Sequence, residues 1–139
     1  MTREQIVAVT QAMQRAWNAK DPVALATLHA DDGVVYSPMF GEVHGRPEIE
    51  RTYREMFQRF QDWTWESGDL IIDGDRCVQV FTATARHTSE VFGVAPTGKR
   101  FRVQGVLILE FRDGKIAADR RLYDFTSLLA QVGVLKPGK

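Results

Sequence analysis

The feature that most limits what this chain can fold into is Asp113-Gly114, set between two long strand-like runs, 99–112 and 115–123. An Asp-Gly pair between apolar runs is a strong hairpin signal, because a tight two-residue turn needs positive φ at both positions. Two more runs, at about 64–72 and 76–88, meet at Asp73-Gly74-Asp75. From Trp63 onward the chain therefore reads as a meander of long antiparallel strands.

Upstream the period is helical. Thr2 and Gln5 form a capping-box pattern, and Ile6, Val9, Met13, Ala16 and Trp17 recur on one stripe. Asp21-Pro22 is an N-cap followed by proline at the first helical position, and Asp31-Asp32-Gly33 is the stop. Val34–Ser37 reads as a short strand cut by Pro38, and a loop leads to a third helix opened by Pro47. A last short helix carries Leu128, Leu129 and Val132 before Gly133. Helices first and strands afterwards predict an α+β fold, with helices packed on one face of a curved antiparallel sheet.

At 139 residues and 44% hydrophobic content, the chain reads as a single domain, 1–139, with enough apolar surface for a core. Eighteen basic residues balance eighteen acidic ones, so there is no surplus to neutralise nucleic-acid phosphates or to draw the chain to a membrane. The start is polar and no long apolar run follows, so neither a signal peptide nor a transmembrane span is expected. The lone Cys77 forms no internal disulfide, and the setting expected is cytoplasmic. No pair of histidines stands at metal-binding spacing, so no metal site is expected.

Several segments carry a family likeness. Asp31–Pro38, the loop Phe92-Gly93-Val94-Ala95-Pro96-Thr97-Gly98-Lys99-Arg100, the turn Asp113–Ile116, Tyr123-Asp124 and Leu128–Gly133 resemble the SnoaL-like polyketide cyclases. These belong to the nuclear transport factor 2-like superfamily, which includes the ketosteroid isomerases and limonene epoxide hydrolases. The resemblance spans nearly the whole chain. It implies a cone-shaped curved antiparallel sheet with N-terminal helices on its concave face, and an apolar pocket. It implies little about the reaction, because this scaffold hosts many chemistries. The sister sites do not transfer. Where ketosteroid isomerases carry a base aspartate, an oxyanion tyrosine and a neutral aspartic acid, this chain has Ser37, a position near Met13 and one near Leu107. The Arg-x-Asp of limonene epoxide hydrolases has no counterpart between Arg76 and Arg86.

The two-residue turn phases the last hairpin. With Arg112 opposite Lys115, a constant sum places Leu107 opposite Arg120, Gly105 opposite Leu122 and Val103 opposite Asp124 on one mostly apolar face. That face should line the cavity, with Arg120 and Asp124 as its charged exceptions, roughly 13 Å apart along the strand. A bulge would reverse the assignment beyond it. Asp124 is the first candidate for general acid/base, and the resemblance implies a late aspartate in an aldol-type ring closure; Asp119 is the second match. The alternative for Asp124 is a cap on the last helix. Arg120 is the candidate clamp for an enolate or carboxylate oxygen, or a buried arginine paired with a helix carboxylate. His87, at a strand end, is the third catalytic candidate, or else a packing residue. Tyr36, Trp17, Tyr53, Phe57, Gly105, Leu107 and Leu122 are the candidate pocket wall, Gly105 leaving room beside Leu122. The resemblance thus implies cofactor-free acid/base chemistry on a small apolar carbonyl compound, and the alternative is a non-catalytic binding or dimerisation module of the same fold. A homodimer through the open sheet face is expected.

Overall fold

The computed structural model describes residues 1–91 and 93–135, so Phe92 of the loop motif lies outside the described residues. Helix α1 (Arg3–Ala19) begins with the capping box read from Thr2 and Gln5, both bonds present. Helix α2 (Pro22–Thr27) is capped by Asp21, whose side chain accepts from the Ala24 amide. Strand β1 (His29–Ser37) and a short strand β2 (Gly41–His44) precede helix α3 (Arg46–Arg59). Strands β3 (Thr64–Asp73), β4 (Arg76–Arg86), β5 (Arg100–Arg112) and β6 (Lys115–Tyr123) follow, then helix α4 (Phe125–Gln131).

Two readings of the first third are corrected. Asp31-Asp32-Gly33 does not end a helix; α2 already stops at Thr27, and these residues are an irregular stretch inside β1. The loop before α3 holds strand β2, whose Glu42 and Val43 pair with Tyr36 and Val35. The six strands form one sheet, ordered β2-β1-β6-β5-β4-β3. Every pairing is antiparallel except β1 against β6, which is parallel.

The N-terminal helices cover the concave face. Ile6, Met13, Trp17, Ile49, Tyr53 and Met56 are buried there against Trp65, Phe81, Val103, Leu107 and Leu109. The indole of Trp17 stacks on Trp65 at 4.5 Å between ring centroids, and Trp65 stacks on Phe81 at 4.2 Å. Tyr53 and Phe57 meet Trp17 edge-on at 5.3 and 5.6 Å. Each such aromatic pair adds about 0.5–1.5 kcal/mol beyond its area burial. No described helix is long and apolar enough to cross a membrane.

One irregularity decides which charges the cone encloses. Phe111 pairs with Ile116, yet Glu110 pairs with Ala118, so Ala117 is an extra residue in β6. The bulge shifts the register by one, and every later side chain changes face. Leu107 therefore opposes Arg121 rather than Arg120, and Gly105 opposes Tyr123 rather than Leu122.

Candidate active site

Beyond the bulge, Asp119 and Arg121 point inward, 0% and 9% exposed. Two residues apart on a strand, they share a face. Asp119 Oδ2 accepts from Arg121 Nε at 3.4 Å and Nη2 at 3.2 Å. Arg121 Nη2 also donates to the Tyr53 hydroxyl at 2.7 Å. With its oxygen accepting from Arg121, Tyr53 directs its own proton to His29 Nε2, 3.0 Å away. Four polar side chains from β1, α3 and β6 thus form one buried chain of hydrogen bonds. It leaves Asp119 Oδ1 and His29 Nδ1 buried without a partner among the described residues.

The electrostatics follow from this burial. Loss of water lowers the His29 imidazole to about 4; Arg121 and Arg46 push the same way, and Asp119 opposes them. Burial raises the Tyr53 phenol far above its usual range. Burial alone would weaken the charge on Arg121, but Tyr53 and Asp119 outweigh it and hold the guanidinium above its ordinary value. Cys77 is pushed up to about 11 by burial and by Asp119. At neutral pH the cluster is a fixed cation, a neutral histidine and a neutral phenol around Asp119.

Arg121 borders a cavity that encloses about 440 Å³ of non-atom space, solvent at its mouth included. Its other walls are mostly apolar: Trp17, Trp63, Trp65, Phe81, Leu107, Met56 and Leu128, with Ser37 and Tyr123 as polar neighbours. The Tyr123 hydroxyl is raised by burial, against the pull of Arg121, Ser37 and the Met39 backbone. Of the guanidinium nitrogens, Nε and Nη2 are engaged by Asp119 and Tyr53, and Nη1 bonds none of the described residues.

The residues singled out in the sequence divide accordingly. Trp17 and Leu107 line the cavity. Tyr53 stands one layer behind, bonded to Arg121. Phe57 supports the edge of Trp17 and faces a surface hollow beside Lys20 and Pro22. Arg120, Tyr36 and Leu122 are not pocket residues: the bulge turns Arg120 and Leu122 outward, and Tyr36 pairs with Arg120 on that outer face. There the Arg120 guanidinium lies 4.2 Å from the Tyr36 ring, a cation–π contact in place of a buried charge, and Leu122 is 56% exposed.

Asp124 lies outside the cavity as well. It is exposed and caps α4, its carboxylate accepting from the Ser127 amide at 2.8 Å. His87 is buried but lines a different chamber, with Nδ1 held by Thr97. Gly105 does not open space for a ligand. A Cβ there would lie 2.8 Å from Tyr123 Cβ and 3.0 Å from Phe81 Cζ, and closer still to the Leu122 carbonyl, so the glycine permits a close backbone approach. Sequence reasoning missed Arg121 and His29 and ranked Asp119 second. The available signal was the Asp119-x-Arg121 spacing, which puts opposite charges on one side of a strand.

The model of the SnoaL-like polyketide cyclase family matches residues 7–132. The chain belongs to that family. AclR from Streptomyces galilaeus, a proposed hydroxylase, is 28% identical with a TM-score of 0.85, over 99% of this chain and 91% of its own. IdmH from Streptomyces antibioticus, a proposed polyketide cyclase, is 27% identical with a TM-score of 0.77, over 92% and 98%. A protein of ketosteroid isomerase-like fold from Catenulispora acidiphila, solved with trimethylamine, is 23% identical with a TM-score of 0.78, over 91% and 93%. No curated protein matches this SnoaL-like chain in sequence at a significant level.

Proposed function

We propose that this SnoaL-like protein moves protons next to the carbonyl of a small, mostly apolar compound, the step shared by aldol cyclisation, isomerisation and dehydration. The observation that carries the reading is Arg121 on the cavity wall with Nη1 unclaimed and its other nitrogens fixed. A guanidinium held this way meets a developing oxyanion without reorganising, and in an apolar cavity its field is weakly screened. Asp119 is the sole buried carboxylate among the described residues, and its Oδ1 is free of hydrogen bonds. In this reading Asp119 takes the proton from the carbon, the electron pair moves to oxygen, Arg121 stabilises the enolate, and the proton returns to the product. No cofactor enters the scheme.

A second reading has its own support. Asp119 has no exposed surface and stands behind Arg121. If it stays there, the pair is an anchor that binds an oxygen without chemistry, and the protein is a binding module. The two are separated with 1-indanone as probe, following tryptophan fluorescence for binding and deuterium uptake beside the carbonyl for proton transfer. The enzyme reading expects uptake that falls roughly 10²–10⁴-fold in Asp119→Asn with binding retained. Binding without uptake in the wild type supports the module, and neither response overturns both.

We also infer that two copies pair through the convex sheet face. Val78, Val80, Val106 and Ile108 are half-buried there and Ile71 is 63% exposed, a mixed surface with Arg120 and Glu110 that suits a soluble interface. Sedimentation giving a monomer at micromolar concentration refutes this pairing. A cytoplasmic setting fits the single, buried Cys77.

A further inference from the structure

A second chamber lies across Leu128 from the Arg121 cavity, and that side chain borders both. It encloses about 300 Å³ of non-atom space, its mouth included, between the end of α3, the first residues of β5 and α4. Phe60, Val91, Phe101, Leu129 and Val132 are among its walls, and His87 is its one polar side chain among the described residues.

His87 is fixed from three directions. Its amide donates to the Lys99 carbonyl at 2.9 Å, and its carbonyl accepts from the Gly98 amide at 2.8 Å. Its Nδ1 accepts from the Thr97 amide at 3.3 Å and lies 3.0 Å from the Thr97 hydroxyl. That hydroxyl in turn accepts from the Lys99 amide at 3.3 Å. An Nδ1 that accepts a backbone N–H carries no proton, so the proton of the neutral ring is on Nε2. Nε2 is buried and has no partner among the described residues, in a residue only 2% exposed. The edge of the ring opposite Thr97 therefore brings a lone donor to an apolar chamber.

A water molecule is a poor occupant of such a space, because it needs two to four polar partners and finds about one. Leaving the donor unmet is a cost to the folded state that a ligand acceptor would relieve. We propose that this chamber is a second binding site, taking a small apolar molecule or group that carries one hydrogen-bond acceptor, a ketone or ester carbonyl oxygen, on His87 Nε2. The site stands independently of the chemistry assigned to Asp119 and Arg121, since neither residue borders it.

The probe is cyclohexanone, with cyclohexane as its acceptor-free counterpart, titrated into protein labelled with ¹⁵N at histidine and ¹³C at methyl groups. The chain has three histidines, so the imidazole spectrum is assignable by substitution. The expected result is a protonated Nε2 at His87 that shifts saturably with the ketone, together with the Leu129 and Val132 methyls. His87→Phe should weaken ketone binding about three- to tenfold, the worth of one hydrogen bond, and leave cyclohexane unaffected. Leu129→Phe, a filling change at a half-buried wall position, should abolish the His87 response and covers the case in which His87→Phe fails to fold. A proton found on Nδ1 would overturn the proposal. So would equal binding of ketone and hydrocarbon, shifts confined to the Met56, Val103 and Leu107 methyls of the other cavity, or a His87 response that survives Leu129→Phe.

Discussion

Acid should destabilise this fold through His29 before it reaches most carboxylates. The imidazole is 0% exposed, accepts from Tyr53 and is held near a pKa of about 4, against 6.5 in the unfolded chain. Below pH 6.5 the unfolded state binds a proton that the folded state refuses until about pH 4. The stability His29 contributes is therefore complete above pH 6.5 and is lost as pH falls through that window. Each pH unit inside the window costs the fold about 1.4 kcal/mol, so the whole interval costs roughly 3 kcal/mol. That is a large fraction of the 5–15 kcal/mol or so that typically holds a domain together. The assay is urea unfolding at steps from pH 7.5 to 4 for the wild type and for His29→Gln. Glutamine can still accept from Tyr53 but does not titrate. The carboxylates common to both proteins cancel in the difference, which should grow by roughly 3 kcal/mol toward pH 4 in favour of the variant. Parallel curves would refute the placement of a neutral histidine behind Arg121.

Gly105→Ala should destabilise by about 1–3 kcal/mol through overpacking against Tyr123, Phe81 and the Leu122 carbonyl, read as a lower urea midpoint with an unchanged slope. Asp124→Ala should cost about 0.5–2 kcal/mol by uncapping α4 and leave ligand binding in the Arg121 cavity intact; a loss of binding without a loss of stability would restore Asp124 as a site residue. Cys77 should resist thiol reagents in the native state at pH 8, being 2% exposed and raised to about 11, and rapid labelling without unfolding would contradict its burial.

The fold was legible because its signals are local. The Thr2 capping box, the Asp21-Pro22 start and the Asp113-Gly114 turn each act within four residues, and all three form as read. The inward face of β5 was legible too, since Val103, Leu107, Leu109 and Phe111 lie an even number of residues apart, counted back from an unambiguous turn. The site was not, because its identity rests on Ala117, a residue that leaves the ladder without any side-chain cue. Alternation transmits such an error to every residue beyond it, which is why Arg120 and Leu122 were expected inside and Arg121 outside. His29 was hidden for another reason. Its partner Tyr53 is twenty-four residues away on α3, and nothing in the local pattern links the two.

The Asp119–Arg121 pair is better explained by what it holds in place than by stability. Replacing a buried ion pair with well-packed apolar residues is often neutral, or stabilising by about 1–4 kcal/mol, so burial alone gives no reason to retain the charges. The surrounding layer would favour their loss, for Leu107, Leu109 and Trp17 already supply an apolar wall. What the pair adds is a guanidinium held by Asp119 and Tyr53, with the Trp17 and Tyr53 rings at 5.6 and 5.1 Å, while Nη1 keeps two protons to give. Tyr53 is itself held by a histidine whose burial keeps it neutral, so no second cation forms beside Arg121 at neutral pH. The proposed function gives these desolvation costs a reason: a cation kept rigid beside an otherwise apolar cavity would receive a ligand oxygen without reorganising. In that arrangement the bulge at Ala117 is the structural step that turns Asp119 and Arg121 inward and puts Arg121 on the cavity wall.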